Sequence, residues 1–268
     1  MSSESLARRL EESEAAHWAS LMEGLAALPD NPYQPQVRRF GRLVALACPG
    51  MAKRYFVNRI FGAGDGDEES LQEAVAWMRS LGVPVRIDIC PLLPHEMLVR
   101  QLAREGFCAL GFQMALYGLV PPLQPMPAGV TLRPAETPAD FAFVEEAMPA
   151  AFEETDSTWL RWLADSTRVT LARPDWRTYI GFVDGEPAGF GQLHMANGVG
   201  SLALAGTLKQ FRGRGLQTAL ILRRIADAAA AGCDLIATQT GNGTASQRNM
   251  ERLGLRVAYT KAEFYHRG

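Results

Sequence analysis

Residues 198–220 constrain this chain more than any other stretch. Gly198 to Gly206 is apolar throughout except Ser201 and is the length of a strand. From Leu216 onward, Ile221, Leu222, Ile225, Ala228 and Ala229 recur at helical spacing. Between the two lies Thr207-Leu-Lys-Gln-Phe-Arg-Gly-Arg-Gly215. The chain therefore leaves a strand, makes a glycine-containing turn and enters a helix. The first N–H groups of such a helix have no intrahelical partner, and its dipole adds partial positive charge there. Gly213 and Gly215 carry no side chain, so an anion can come close to the backbone, and Arg212 and Arg214 add charge of the matching sign. This is the chemistry of a pyrophosphate cradle.

The chain has 268 residues, room for one large domain or two ordinary ones. Hydrophobic residues make up 47% and charged residues 21%, as in soluble globular proteins. A net charge of −2 gives no reason to expect nucleic acid or an anionic membrane as partner. No apolar run spans a bilayer, and the N-terminus lacks the apolar core of a secretory signal. Cys48, Cys90, Cys108 and Cys233 stand apart in apolar contexts, and the four histidines are dispersed. Buried thiols in a cytoplasmic protein without a metal site are the expectation.

Periodicity and punctuation predict a helix over 4–28, strands over 37–47 and 55–61, and a helix over 70–81. A strand over 83–89, a helix over 94–105 and a strand over 109–119 follow. Residues 120–129 are proline-rich and read as a linker. Then come strand 130–133, helices to about 148 and over 157–164, a hairpin of 176–183 and 187–195, and strand 201–207. The glycine loop and its helix are next, then strand 235–240, helix 245–253 and a last strand or hairpin arm over 256–265.

Gln210-x-x-Gly213-x-Gly215 resembles the Q/R-x-x-G-x-G/A signature of the GNAT N-acetyltransferase superfamily. The likeness covers 130–268, whose element order is that of one GNAT domain. Leu102-Ala-Arg-Glu-Gly106-Phe107 and Glu251-Arg-Leu-Gly254-Leu255 both resemble the ending of the last GNAT helix. The first half repeats a fainter version of the same order, although helix-Gly-hydrophobe is also a common helix ending by itself. The resemblance implies an α/β (α+β) chain of two GNAT-like domains, each a mixed, mostly antiparallel sheet flanked by helices. Residues 1–119 would be a degenerate domain, 120–129 the linker and 130–268 the acetyl-CoA-binding domain, in a monomer with the two halves packed together.

What the resemblance implies for the site is an acetyl-CoA set of Gly206, Thr207, Leu208, Gln210, Phe211, Arg212, Gly213, Arg214, Gly215, Leu216, Asn242 and Ser246. Gly206 maps to the bulge where the family's strand meets the pantetheine arm, or is an ordinary strand defect. Ser246 is a ligand contact or a helix cap. The implied reaction is acetyl transfer to a small-molecule or peptide amine by direct attack. Many members carry an acidic tyrosine on the last helix, where this chain has Met250 or Asn249. The catalytic acid is thus unassigned, with Tyr259 and Tyr265 as replacements beyond the helix. Glu153, Glu154 and Asp156 either hold a cationic acceptor or form a solvated acidic face. His194 is a base or a hydrogen-bonded core histidine. Two other readings remain open: a non-catalytic acetyl-CoA sensor or scaffold, and a nicotinamide or flavin enzyme suggested by Gly213-x-Gly215-x-x-x-Ala219.

Overall fold

The computed structural model describes residues 2–119 and 125–266. The first half runs α1 (Ser3–Ala26), β1 (Gln36–Phe40), β2 (Leu43–Ala47), β3 (Arg59–Ala63), α2 (Glu68–Ser80), β4 (Arg86–Ile89), α3 (Glu96–Arg104) and β5 (Phe107–Gly118). The second runs β6 (Val130–Pro134), α4 (Pro138–Phe152), α5 (Ser157–Leu171), β7 (Trp176–Val183), β8 (Glu186–Ala196), β9 (Val199–Thr207), α6 (Leu216–Ala230), β10 (Leu235–Thr240), α7 (Ala245–Arg252) and β11 (Arg256–His266). The block β1-β2-β3-α2-β4-α3-β5 is repeated as β7-β8-β9-α6-β10-α7-β11. Among the described residues no helix is long and apolar enough to cross a membrane.

Three expected boundaries move, one of them the helix over 157–164, which runs on to Leu171 as α5. The single strand over 37–47 is a hairpin, turned at Gly41 with φ +56°. The strand over 55–61 is a short 3₁₀ turn, Tyr55–Val57, followed by β3. Within the linker 120–129, residues 120–124 lie outside the described residues.

The compact units do not follow the linear halves. The first comprises Met1–Leu116, Gln239–Thr244 and Val257–Gly268, and the second Tyr117–Thr238 and Ala245–Arg256. The last strand, expected in the second domain, thus belongs to the first. There β11 runs antiparallel to β4, with Ala262 opposite Ile89 and Phe264 opposite Ile87. Strand order in this unit is β1-β2-β3-β4-β11-β5. Its two sheet faces differ in chemistry. One is apolar, with Leu43, Ile60, Ile87, Ile89 and Phe264 packed on Leu71, Val75, Met78, Leu98 and Leu102 of α2 and α3.

The other face meets α1 through buried charge. Lys261 has no exposed surface and pairs with Glu11 at 3.1 Å and with Glu14. Arg59 joins Glu14 at 3.2 Å and Asp88 at 3.4 Å, with its guanidinium 4.5 Å from the Trp18 ring centre. Arg86 meets Asp88 at 2.6 Å and Glu263 at 2.9 Å. Tyr259 donates to Glu11 at 2.6 Å. Burial raises the Glu11 carboxyl, only partly offset by Lys261. Burial opposes the charge on Asp88 too, but Arg86 and Arg59 outweigh it and hold its pKa low. Side chains alternate between faces along a strand, so Tyr259, Lys261 and Glu263 share this face while Ala262 and Phe264 share the apolar one.

The second unit has strand order β6-β7-β8-β9-β10, antiparallel except for the parallel β9–β10 pair. The capping box of α4 joins Thr137 and Asp140, and Arg133 holds Asp140 at 2.6 Å. Helix α6 lies close on the sheet because glycines floor it. Leu216, Leu220, Arg224 and Ala228 recur every four residues, and they face Gly181, Gly189, Gly191 and Gly200. A β-carbon on Gly200 would stand 2.6 Å from the Ala228 methyl.

Candidate acetyl-CoA site

The turn after β9 is built from backbone. Leu208 N–H donates to Ala188 O at 2.9 Å, which fastens the strand end to β8. A 3₁₀ turn, Lys209–Phe211, follows, with Phe211 N–H donating to Leu208 O at 2.9 Å. Gly213 and Gly215 then take φ of +79° and +84°, in the left-handed region that favours glycine. Gly215 is the N-cap of α6, and neither a capping side chain nor an acidic residue stands in the first turn. The helix start keeps its donors and positive dipole end without an internal anion. A β-carbon on Gly213 would meet nothing within 4 Å, whereas one on Gly215 would stand 2.9 Å from Pro127 Cβ.

Both loop arginines have carboxylate partners. Arg212 pairs with Glu153 at 3.2 Å and donates to Ala151 O at 2.8 Å and Thr207 O at 3.3 Å. It thereby ties the loop to the end of α4. Arg214 pairs with Asp184 in the β7–β8 turn. Glu153, expected either to hold an acceptor or to lie on a solvated acidic face, ends α4 in a left-handed conformation and accepts from Arg212. Glu154 accepts from the backbone N–H of Thr155 and Asp156. Asp156 caps α5 through Trp159 N–H.

Strands β9 and β10 part early. Their pairing runs Val199↔Leu235, Gly200↔Ile236 and Ser201↔Ala237, yet β9 continues to Thr207. Thr238 marks the fork by donating from its hydroxyl to Leu202 O at 3.0 Å. On the other side β9 stays paired with β8, but with a shifted register: Gly191↔Ala205 is followed by Leu193↔Leu202. The bulge is therefore at Ala203 and Leu204, opposite Gln192. Gly206 is not the bulge. It pairs in register with Phe190, and a β-carbon there would stand 2.6 Å from Ala151 Cβ, so helix packing explains the glycine. Thr207 accepts from Gln217 at 2.9 Å, a link between strand end and first helical turn that sequence reasoning missed.

The remaining expected residues are dispersed. Gln210 is exposed, Phe211 half-buried and Leu216 buried under the sheet. Asn242 is exposed in the Gln239–Thr244 segment, which belongs to the first unit. Ser246 lies inside α7, which begins at Ala245, so it is not the cap residue. His194 is buried, 3.2 Å from Asp175 and against the Trp176 ring. Burial lowers its pKa, with Asp175 pulling the other way. Tyr259 is interior to the first unit, where burial and then Glu11 push its pKa up. Met250 is buried.

The equivalent place in the first unit is filled from within. β3 and β4 pair at Arg59↔Arg86 and Ile60↔Ile87 and, after a shift of register, again at Ala63↔Ile89, the last residue of β3. In the following turn Asp67 accepts from Gly64 N–H at 3.0 Å and from Arg42 at 2.7 Å. Glu68 accepts from Gly66 N–H at 3.1 Å, and Asp65 from Leu98 N–H at 2.9 Å. Carboxylates of the chain itself take these donors.

Residues 141–255 match the family described as acetyltransferase (GNAT). Among solved structures, a GCN5-related N-acetyltransferase from Kribbella flavida superposes with a TM-score of 0.65 at 18% identity, covering 95% of each chain. A tandem GNAT protein from the clavulanic acid biosynthesis pathway gives 0.62 at 17%, covering 92% of this chain and 86% of its own. A GCN5-related N-acetyltransferase from Sphaerobacter thermophilus gives 0.60 at 18%, covering 92% and 84%. No curated protein matches the chain in sequence. At these identities the solved structures speak for the fold, and the sequence match speaks for the second half. Residues 141–255 thus carry the sequence of the GNAT acetyltransferase family, and the chain as a whole has the fold seen in GNAT proteins, a tandem one among them.

Proposed function

We propose that this chain is an N-acetyltransferase that takes acetyl-CoA at the β9–α6 site and transfers the acetyl group to an amine by direct attack in a ternary complex. The observation that carries the reading is the combination of a forked β9–β10 pair with an uncapped, acid-free start of α6. The α6 N–H groups, Gly213 and Gly215 would hold the pyrophosphate. The β9 backbone past Ser201 would hold the pantetheine arm and meet charge developing on the thioester oxygen. The family match and the CoA chemistry of such a loop support acetyl-CoA rather than a dinucleotide. The latter also wants an acidic residue after the second strand, where β10 ends in Gln239-Thr240.

One site per chain is the expectation from the first unit's carboxylate-filled turn. Calorimetric titration should give one acetyl-CoA per chain, and acetyl-CoA but not NADPH should raise the melting temperature. Two equivalents, or no response to any CoA species, refutes the assignment. A second reading, a non-catalytic acetyl-CoA sensor, is favoured by Met250, a buried group that cannot donate a proton. Free-thiol release from acetyl-CoA across a panel of amines separates the two.

A further inference from the structure

Arg224 sits in α6 with no exposed surface. Its Nε donates to Leu220 O at 3.0 Å, and one Nη donates to Gln192 O at 3.1 Å and Ala203 O at 3.4 Å. Its other Nη has no hydrogen-bond partner, and no carboxylate is paired with it among the described residues. Burial lowers its pKa to about 10, so it is a cation at neutral pH. Gly191 makes room for it: a β-carbon there would stand 3.2 Å from Nε. An unneutralised buried cation is costly, and apolar packing on a glycine floor does not call for one.

The two carbonyls gathered by this guanidinium are those of the bulge, one from each strand. No peptide bond is cis, so the Leu204 N–H points opposite to the Ala203 carbonyl. It therefore faces away from Arg224, in the part of β9 that lies beyond its last rung to β10, Ser201↔Ala237. A cation at the carbonyl end of a peptide makes its N–H a stronger donor, and more so where the local dielectric is low. We propose that Arg224 is a positioning residue for acyl transfer, fixing the β9 bulge and polarising the Ala203–Leu204 peptide so that the Leu204 N–H donates to the thioester carbonyl oxygen. This rests on the acetyl-CoA reading of the same site.

The test uses the full chain and acetyl-CoA carrying carbon-13 at the carbonyl. Difference infrared spectroscopy reads the carbonyl stretch, and thiol release with an amine found in the panel reads turnover. The wild type should lower the stretch on binding. Arg224→Met should bind acetyl-CoA within about threefold of wild type, because the pyrophosphate loop is untouched. It should lose the lowered stretch and about tenfold to a hundredfold in kcat, less than removal of an oxyanion donor itself. Arg224→Lys should recover part of both. Should Arg224→Met fail to fold, Gly191→Ala displaces the guanidinium while keeping it, and should give a smaller change of the same kind. Folded variants with unchanged stretch and kcat overturn the proposal. Failure of the wild type to bind acetyl-CoA overturns the functional reading first, before any variant is made.

Discussion

Replacing Lys261 by methionine keeps most of the side-chain volume but removes a cation with no exposed surface. Glu14 retains Arg59 at 3.2 Å, but Glu11 is left with only the Tyr259 hydroxyl at 2.6 Å. Breaking a buried pair in this way typically costs about 3–5 kcal/mol. Glu11 offers some relief, because burial already raises its pKa and without Lys261 it would take up a proton nearer neutrality. The expected loss is therefore at the lower end, about 3 kcal/mol, a large part of the ~5–15 kcal/mol that holds a domain folded. Adding Glu11→Gln to the same chain removes the stranded charge and should restore most of it. The pH dependence has a definite sign. A carboxyl whose pKa is raised by folding contributes stability that is present below its unfolded value near 4.5 and lost as pH rises through the folded value. The deficit of Lys261→Met should thus shrink between pH 7 and pH 5. Urea unfolding followed by tryptophan fluorescence at both pH values measures it, Trp18 standing against Arg59 in the same cluster. A deficit under about 1 kcal/mol, or a double variant no better than the single, refutes the view that Lys261 neutralises these glutamates.

The two loop glycines should separate conformation from contact. Gly213→Ala incurs only the left-handed backbone cost of about 1–2 kcal/mol, while Gly215→Val adds a branched side chain against Pro127 and should weaken acetyl-CoA binding more than tenfold, read by calorimetry. Equal affinities in the two variants would make the loop indifferent to its backbone. For His194, burial depresses the pKa, so the unfolded chain takes up the proton first and stability falls as pH drops through about 6.5. His194→Gln should flatten that part of the profile in denaturation midpoints between pH 8 and pH 5.5.

The strand, glycine turn and helix at 199–230 were legible because their signals are local: apolar runs, positive-φ glycines and a 3.6-residue period. What Arg212 and Arg214 do was not legible, since their partners Glu153 and Asp184 stand 59 and 30 positions away. The same holds for the glycines of β7, β8 and β9. In sequence Gly181, Gly189, Gly191 and Gly200 look like strand defects, and only α6 lying on them gives them a purpose. Arg224 was hidden for the matching reason, a charged residue in a helix being a surface residue by default. The alternation of β11, with Lys261 between Thr260 and Ala262, marks a strand but cannot name β4 as its neighbour.

The membership of β11 in the first unit sets an order on the making of the protein. During synthesis Ile89 must wait for Ala262, which at ~5–20 residues per second is roughly ten to thirty seconds. For that interval β4 is an open sheet edge, and Glu11 and Glu14 on α1 lack the lysine that neutralises them. The elements of the second unit from β6 to β10 leave the ribosome earlier than β11 and can pack first. The nascent chain thus completes its later half before its earlier one, and a fragment ending at Leu119 is expected to aggregate through the β4 edge rather than fold.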